Sequence, residues 1–359
     1  MSVRAPGIGP RHTRPEPAPP WLEAPPDPTP PGLELVAARP FLIGPVVARF
    51  DLAAGDRPLV APGEVVIAGT PVAERLRDPR LAELPSSGDD ALRPGDRFGD
   101  GGEHALRRAA VAAGELVFRS GRRWRVATGE MADPLEAPVA GIVREVRPGT
   151  GIVLELAGAA IPGVMAIGVP SRGRLSIVRD PSAELHPAGL DVGRAGSILV
   201  VGPRVDAETL TRARAMGVRG VVVAGVSGKD VRDFGASEAR QRAALHGLPP
   251  FALLVLDGVL RRPLAGPLQA LLDALEGRDV GIVLDPPALV IDGEPPALPP
   301  PPPSWIRVRH GPLAGEEGWW AGALGPRRFP PGVHLEAGLI RLADGQSVAL
   351  PLADLERFV

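Results

Sequence analysis

Chemistry in this chain would gather at four short stretches: Gly202-Pro203-Arg204-Val205-Asp206, Ser227-Gly228-Lys229-Asp230, Asp257-Gly258 and Asp285-Pro286. Each closely follows an apolar run, and ligands of open α/β sheets sit outside the carboxyl ends of the strands. The backbone N–H groups around Ser227 and Gly228, with the charges of Lys229 and Arg204, have the makings of an anion cradle. Asp206, Asp257 and Asp285 are the carboxylates that such a fold would bring near a hydrated Mg²⁺. A plainer account makes Asp206 a helix N-cap and puts Asp257-Gly258 and Asp285-Pro286 in turns. The Gly228-Lys229 pair is not a P-loop, because Val223 stands where the first Gly belongs and Asp230 where Ser or Thr belongs. The candidate ligand-binding residues are therefore Arg204, Asp206, Ser227, Gly228, Lys229 and Asp257, with no cofactor and no metal expected.

A second cluster is Arg119-Ser120-Gly121-Arg122-Arg123-Trp124-Arg125. Arg119, Arg122, Arg123 and Arg125 are placed to meet phosphates and Trp124 to stack on a base. The competing account is a solvated hairpin whose Trp124 turns inward. The six histidines are scattered, and none stands at metal-ligand spacing. The chain has no cysteine, which excludes thiolate zinc sites, iron–sulfur clusters, disulfides and cysteine nucleophiles. No catalytic constellation can be assembled, so the chain reads as a binding protein rather than an enzyme.

The elements that must position these residues follow from patterning. At 359 residues the chain has room for two or three domains. Residues 1–32 are Pro-rich and read as a disordered tail. Residues 33–193 alternate short β-branched runs with Gly, Pro and Asp turns, the pattern of an all-β barrel or sandwich. Its strands are expected at Phe41–Ile43, Val46–Phe50, Val65–Ile67, Leu116–Phe118, Ile142–Val146 and Ile152–Leu156, with loops at 86–90 and 99–102 and a short helix at 103–113. Residues 194–293 alternate continuous apolar strands (198–201, 221–223, 251–256, 280–284) with helices starting after Asp206, near Ser237 and near Pro267. That is the pattern of a parallel sheet covered on both faces. The run Pro299–Pro303, within a 294–304 linker, is expected to hold the last module, 305–359, away from the body.

The net charge is −2, so no global field draws the chain to nucleic acid or anionic lipid. Lysine occurs once, at Lys229. No apolar leader or membrane-length apolar run is visible, which leads us to expect a cytoplasmic protein without direct membrane insertion.

Two resemblances add to this reading. Val60–Ala73, with Gly63, Val66 and Gly69, and Glu136–Val146, with Ala137-Pro138, Gly141 and Val143, resemble the two halves of barrel-sandwich hybrid folds such as biotinyl and lipoyl carrier domains. A carrier would present a lysine on its hairpin turn, and none lies before Lys229. The segment Ile306–Gly318, with Val308, Gly311-Pro312, Ala314-Gly315 and Gly318, resembles the KOW motif of NusG and several ribosomal proteins. The closing Ile340–Glu356, with its Asp344-Gly345 turn, resembles the end of such a domain. This resemblance implies an SH3-like β-barrel and a role with RNA, the ribosome or RNA polymerase.

The KOW-like stretch departs from basic RNA binders. It balances Arg307, Arg309, Arg327, Arg328, Arg341 and Arg357 against Glu316, Glu317, Glu336, Asp344, Asp354 and Glu356. Protein docking through an exposed tryptophan fits equally well. Arg307, Arg309, Trp319 and Trp320 are thus candidate partner-binding residues, and strand alternation predicts one of the two tryptophans in the core and the other exposed. The expected whole is multidomain: an all-β barrel-sandwich hybrid-like domain, an α/β Rossmann-like domain and a C-terminal SH3-like barrel. Its expected role is a non-enzymatic scaffold with protein and RNA partners. Two alternatives stay open: an α/β enzyme or sensor for a phosphorylated small molecule, and a peripheral subunit of a membrane redox complex without its own iron–sulfur cluster.

Overall fold

A computed structural model describes residues 19–22, 31–53, 55–85, 93, 97–98, 114–179, 185, 190–244, 249–330 and 332–359. The loops expected at 86–90 and 99–102, the helix expected at 103–113 and most of the 1–32 stretch lie outside these residues. Among the described residues the chain is β-rich, with four sheets and three α-helices. No described helix is long and apolar enough to cross a membrane.

The first ten strands are β1 (Ala37–Arg39), β2 (Val46–Asp51), β3 (Arg57–Pro58), β4 (Val65–Val66), β5 (Pro71–Pro85), β6 (Arg97–Phe98), β7 (Gly114–Ser120), β8 (Arg123–Glu136), β9 (Gly141–Arg147) and β10 (Gly151–Leu156). One sheet runs β2-β10-β9-β4 and another β3-β5-β8-β7-β6. Strand β2 alternates as a half-buried strand must: Val46, Ala48 and Phe50 enter the core, while Val47, Arg49 and Asp51 face out. They meet Ile152, Leu154 and Leu156 of β10. The long antiparallel arm β5–β8 was not legible in the sequence. Its pairing slips between Arg77 and Arg80, on either side of Pro79, which has no N–H to give a ladder.

The central sheet holds β11 (Ala160–Pro162), β12 (Met165–Gly168), β13 (Ser171–Ile177), β14 (Ser197–Val200), β15 (Gly220–Gly225), β16 (Ala252–Gly258), β17 (Asp279–Leu284) and β18 (Pro287–Ile291). Its order is β11-β18-β17-β13-β14-β15-β16-β12. Only β13 to β16 run parallel. Two expectations change here. Residues 160–177, read with the all-β region, supply three strands of this sheet. The 280–284 strand, read as parallel, lies antiparallel to β13 and forms a hairpin with β18. The position beside β16 is already filled by β12, so β17 pairs on the far side.

Helices α1 (Ala207–Ala215) and α2 (Gly228–Ala244) cover one face, where Leu210, Ala213 and Phe234 meet Leu199, Val221, Val223, Leu253 and Val255. Helix α3 (Gly266–Ala274) covers the other, where Leu268, Leu271 and Leu272 meet Ile198, Val200, Val222, Leu254 and Ile282. Successive strand residues thus feed opposite cores, which is why these strands are apolar throughout.

The last strands are β19 (Trp305–Val308), β20 (Glu317–Phe329), β21 (Val333–Leu342), β22 (Ser347–Pro351) and β23 (Leu355–Phe358), with one 3₁₀ turn at Leu352–Asp354. The sheet order is β1-β23-β19-β20-β21-β22, so residues 37–39 share a sheet with the last five strands. Strand β1 pairs parallel with β23, and Phe41 stands edge-on to Phe358 with ring centroids 6.2 Å apart. Leu33 and Val36 enter the core of this sheet with Ile306, Val308, Trp320, Ile340 and Leu355, and Trp320 Nε1 donates to the Pro31 carbonyl (3.2 Å). The 305–359 stretch is therefore completed by residues 31–39.

It is also not held at a distance. Pro301 is buried, and Trp305, Trp319 and Phe358 share one core with α3 and the central sheet. The Pro run is a short strap across a packed contact rather than a spacer. Within the expected tail, Pro20–Leu22 forms a single 3₁₀ turn whose Trp21 is buried in the same core.

Candidate functional site

The contact between the C-terminal and central sheets explains several of the candidate residues. On β19 and β20, Trp305 pairs across the ladder with Trp319, and Arg307 with Glu317. These four side chains share the face turned to the body, while Ile306, Val308 and Trp320 point into the C-terminal core. Trp305 and Trp319 meet edge to face at 5.1 Å and 79°.

Beside them lies a buried charge cluster. Asp257, at the end of β16, has a fully buried carboxylate that accepts from Arg39 (2.5 Å) and Arg307 (2.9 Å) and lies 3.6 Å from Arg262. Glu356 of β23 lies 3.4 Å from Arg39 and 3.5 Å from Arg307. Glu317 accepts from the Gly266 N–H (2.9 Å) and Trp305 Nε1 (3.0 Å). Arg262 donates to the Arg309 carbonyl (2.7 Å), and Arg307 to the Pro263 carbonyl (2.5 Å). Three guanidinium groups face three carboxylates, so the seam is balanced.

Burial works against the charge on Asp257, but Arg307, Arg39 and Arg262 outweigh it and hold the carboxyl below the usual aspartate range. Burial dominates at Glu317 and raises its pKa despite its two donors and Arg307. Burial likewise lowers the pKa of Arg262. The turn after β19 closes the seam. Gly315, at φ +97°, lies so near Pro263 that a Cβ would come within 2.8 Å of its Cδ.

These positions correct the candidate set. Arg307 is wholly buried in ion pairs and cannot reach a phosphate. Trp319 and Trp320 do point to opposite sides, as alternation requires, but both are buried because the body covers the outer side. Arg309 stays half exposed, its Nε 3.6 Å from Glu356. Reading the sequence missed Arg39, Arg262, Glu317 and Glu356 as one cluster. Their one visible signal is Arg307 inside Trp-Ile-Arg-Val, a charge on a strand with both faces apolar.

The strand-end residues divide. Asp206 caps α1 by accepting from the Thr209 N–H (2.7 Å). The Ser227 hydroxyl accepts from the Asp230 N–H (3.1 Å) and donates to its carboxylate (2.5 Å). Helix α2 thus begins at Gly228, about nine residues before the expected start. Arg204 donates to Asp230 (3.2 Å), which also accepts from the Ala207 N–H at the start of α1 (3.4 Å). Burial opposes ionisation of Asp230, but these donors prevail and its pKa is lowered. The expected anion cradle is therefore filled by the chain's own carboxylate, between two helix N-termini. Lys229 is exposed beside it. Asp257 turns into the seam instead. Asp285 sits in the β17–β18 turn, at the opposite end of the sheet because β17 is antiparallel. Among the described residues no group of three His, Cys, Asp or Glu is placed to hold a metal.

At the β7–β8 turn, Trp124 is buried and Glu83 pairs with Arg123 (2.6 Å) and Arg125 (2.6 Å). Arg119 and Arg122 remain exposed, so the expected stacking platform reduces to two arginines. The C-terminal sheet offers a second exposed surface at the end of its β20–β21 ribbon. Arg327 pairs with Leu335, Arg328 with His334 and Phe329 with Val333 across the ladder. Arg327, Arg328, Val333, His334 and Leu335 are all exposed. No protein-family model, curated protein or solved structure matches this chain.

Proposed function

We propose that this chain is a non-enzymatic, multi-module binding protein that engages the transcription or translation machinery, through RNA or protein, by way of its C-terminal sheet. The fold types that go with this reading are a barrel-sandwich hybrid-like first region, a Rossmann-like centre and a KOW-like, SH3-type barrel at the end. In support, β19 to β22 form a meander, a 3₁₀ turn follows, and β23 returns to β19. That is the strand order of an SH3-like barrel.

The observation that carries the reading is the β20–β21 ribbon. Trp305 and Trp319 are covered by the body and Trp320 by the inner core, while Arg327, Arg328 and His334 stand beside exposed Val333 and Leu335. Cations next to apolar side chains suit a partner that offers phosphates or carboxylates together with a flat apolar surface. The test is co-purification of the full chain at low salt, with bound RNA and proteins identified, beside an R327E/R328E variant. Ribosomal, polymerase or RNA components should be recovered with the parent and lost with the variant. Recovery of none of these, or equal recovery with both, refutes the reading.

A further inference from the structure

Between α3 and the C-terminal sheet lies a crevice of about 720 Å³, walled by Leu264, Ala270 and Trp305 and floored by Gly266 and Glu317. The chain's own Pro19, Pro20 and Trp21 form one side of it. Trp21 is the anchor, 3 % exposed and part of the core that holds Trp305, Trp319 and Leu268. The absence of a side chain at Gly266 makes the slot. A Cβ there would stand 2.8 Å from Glu317 Oε2 and 3.4 Å from Trp21 Cδ1.

The chemistry of recognition follows from the occupant. The backbone bond of this segment is internal, from the Leu22 N–H to the Pro19 carbonyl (2.9 Å). Its hold on the body is the indole, and its shape comes from two prolines with fixed φ. Such a segment loses little entropy on docking, and a buried indole contributes a large apolar contact. Nothing in that fit requires the segment to come from the same chain.

We propose that the slot Trp21 fills at the edge of this crevice is a recognition site for Pro-Pro-aromatic peptides, with Pro19–Leu22 as a built-in occupant that a partner protein's Pro-Pro-aromatic segment replaces. The site is separate from the β20–β21 ribbon and does not depend on the reading given to it. Tethering gives the built-in segment an effective concentration on the order of millimolar, so an outside peptide competes poorly while Trp21 is present.

The test uses the full chain and a fluorescent peptide of residues 15–26, followed by anisotropy. The W21A chain should bind this peptide at least tenfold more tightly than the parent chain. A peptide with Trp21→Ala should not bind W21A. A W21F chain, which keeps an aromatic anchor and guards against misfolding of W21A, should bind with intermediate affinity. Equal affinity of parent, W21F and W21A, or binding of the Trp21→Ala peptide to W21A as tight as that of the native peptide, overturns the proposal.

Discussion

Replacing Asp257 with alanine removes a fully buried carboxylate that Arg39, Arg262 and Arg307 share. The remaining cluster would hold Arg39, Arg262 and Arg307 against Glu317 and Glu356, leaving one buried positive charge in excess. At an effective dielectric of about 20, a pair about 4 Å apart interacts by roughly 4 kcal/mol. Desolvation of each ion offsets several kcal/mol of that, so the intact cluster adds little net stability, while stripping out one partner costs about 3–5 kcal/mol. D257A should therefore lose about 3–5 kcal/mol in urea unfolding followed by tryptophan fluorescence. Trp21, Trp305 and Trp319 report on the seam directly. In a double-mutant cycle with R307M, the coupling should reach about 1.5–3 kcal/mol. Asp257 has a depressed folded pKa, so its contribution is full above the ordinary aspartate value of about 3.9 and is lost as pH falls through the lower folded value. The gap between parent and D257A should narrow over that acid range. A loss under about 1 kcal/mol, the scale of an exposed ion pair, would refute the buried-seam reasoning.

Glu317 carries the opposite sign. Its folded pKa is raised, so its contribution is greatest below the ordinary glutamate range and is lost as pH rises through the folded value. The stability of the parent relative to E317Q should accordingly fall as pH rises above the ordinary glutamate range, as read from urea midpoints. Gly338 lies under the Trp320 ring, where a Cβ would fall 2.0 Å from Cζ3. G338A should cost about 1–3 kcal/mol or more in the same assay, a larger loss than an exposed substitution gives. The fragment 305–359 lacks Leu33, Val36 and β1, and should show no dispersed NMR spectrum alone; a peptide of residues 31–43 added in trans should restore dispersion.

Patterning along the chain revealed what is local. The apolar runs at 198–201, 221–223 and 251–256 became central strands, Asp206 became a helix cap, and Asp344-Gly345 makes the β21–β22 turn. What it hid depends on contacts between distant segments. Arg39 lies 218 residues from Asp257 and 317 from Glu356, and no spacing rule links them. The α2 start was missed because Ser227-Gly228-Lys229-Asp230 reads equally well as a loop and as a capped first turn. The orientation of β17 escaped because a fully buried strand has the same apolar pattern in either direction. Both tryptophans of the 319–320 pair obey strand alternation. What failed was the assumption that one side of the C-terminal sheet faces water.

That assumption can be tested with one titration. All five tryptophans are less than a tenth exposed, including Trp305 and Trp319 at the seam and Trp21 beside it. Acrylamide quenching of the full chain should therefore give a single low slope, rising only when urea or D257A opens the seam. A readily quenched fraction in the native parent would contradict the docked arrangement and return the C-terminal sheet to a free module on a proline strap.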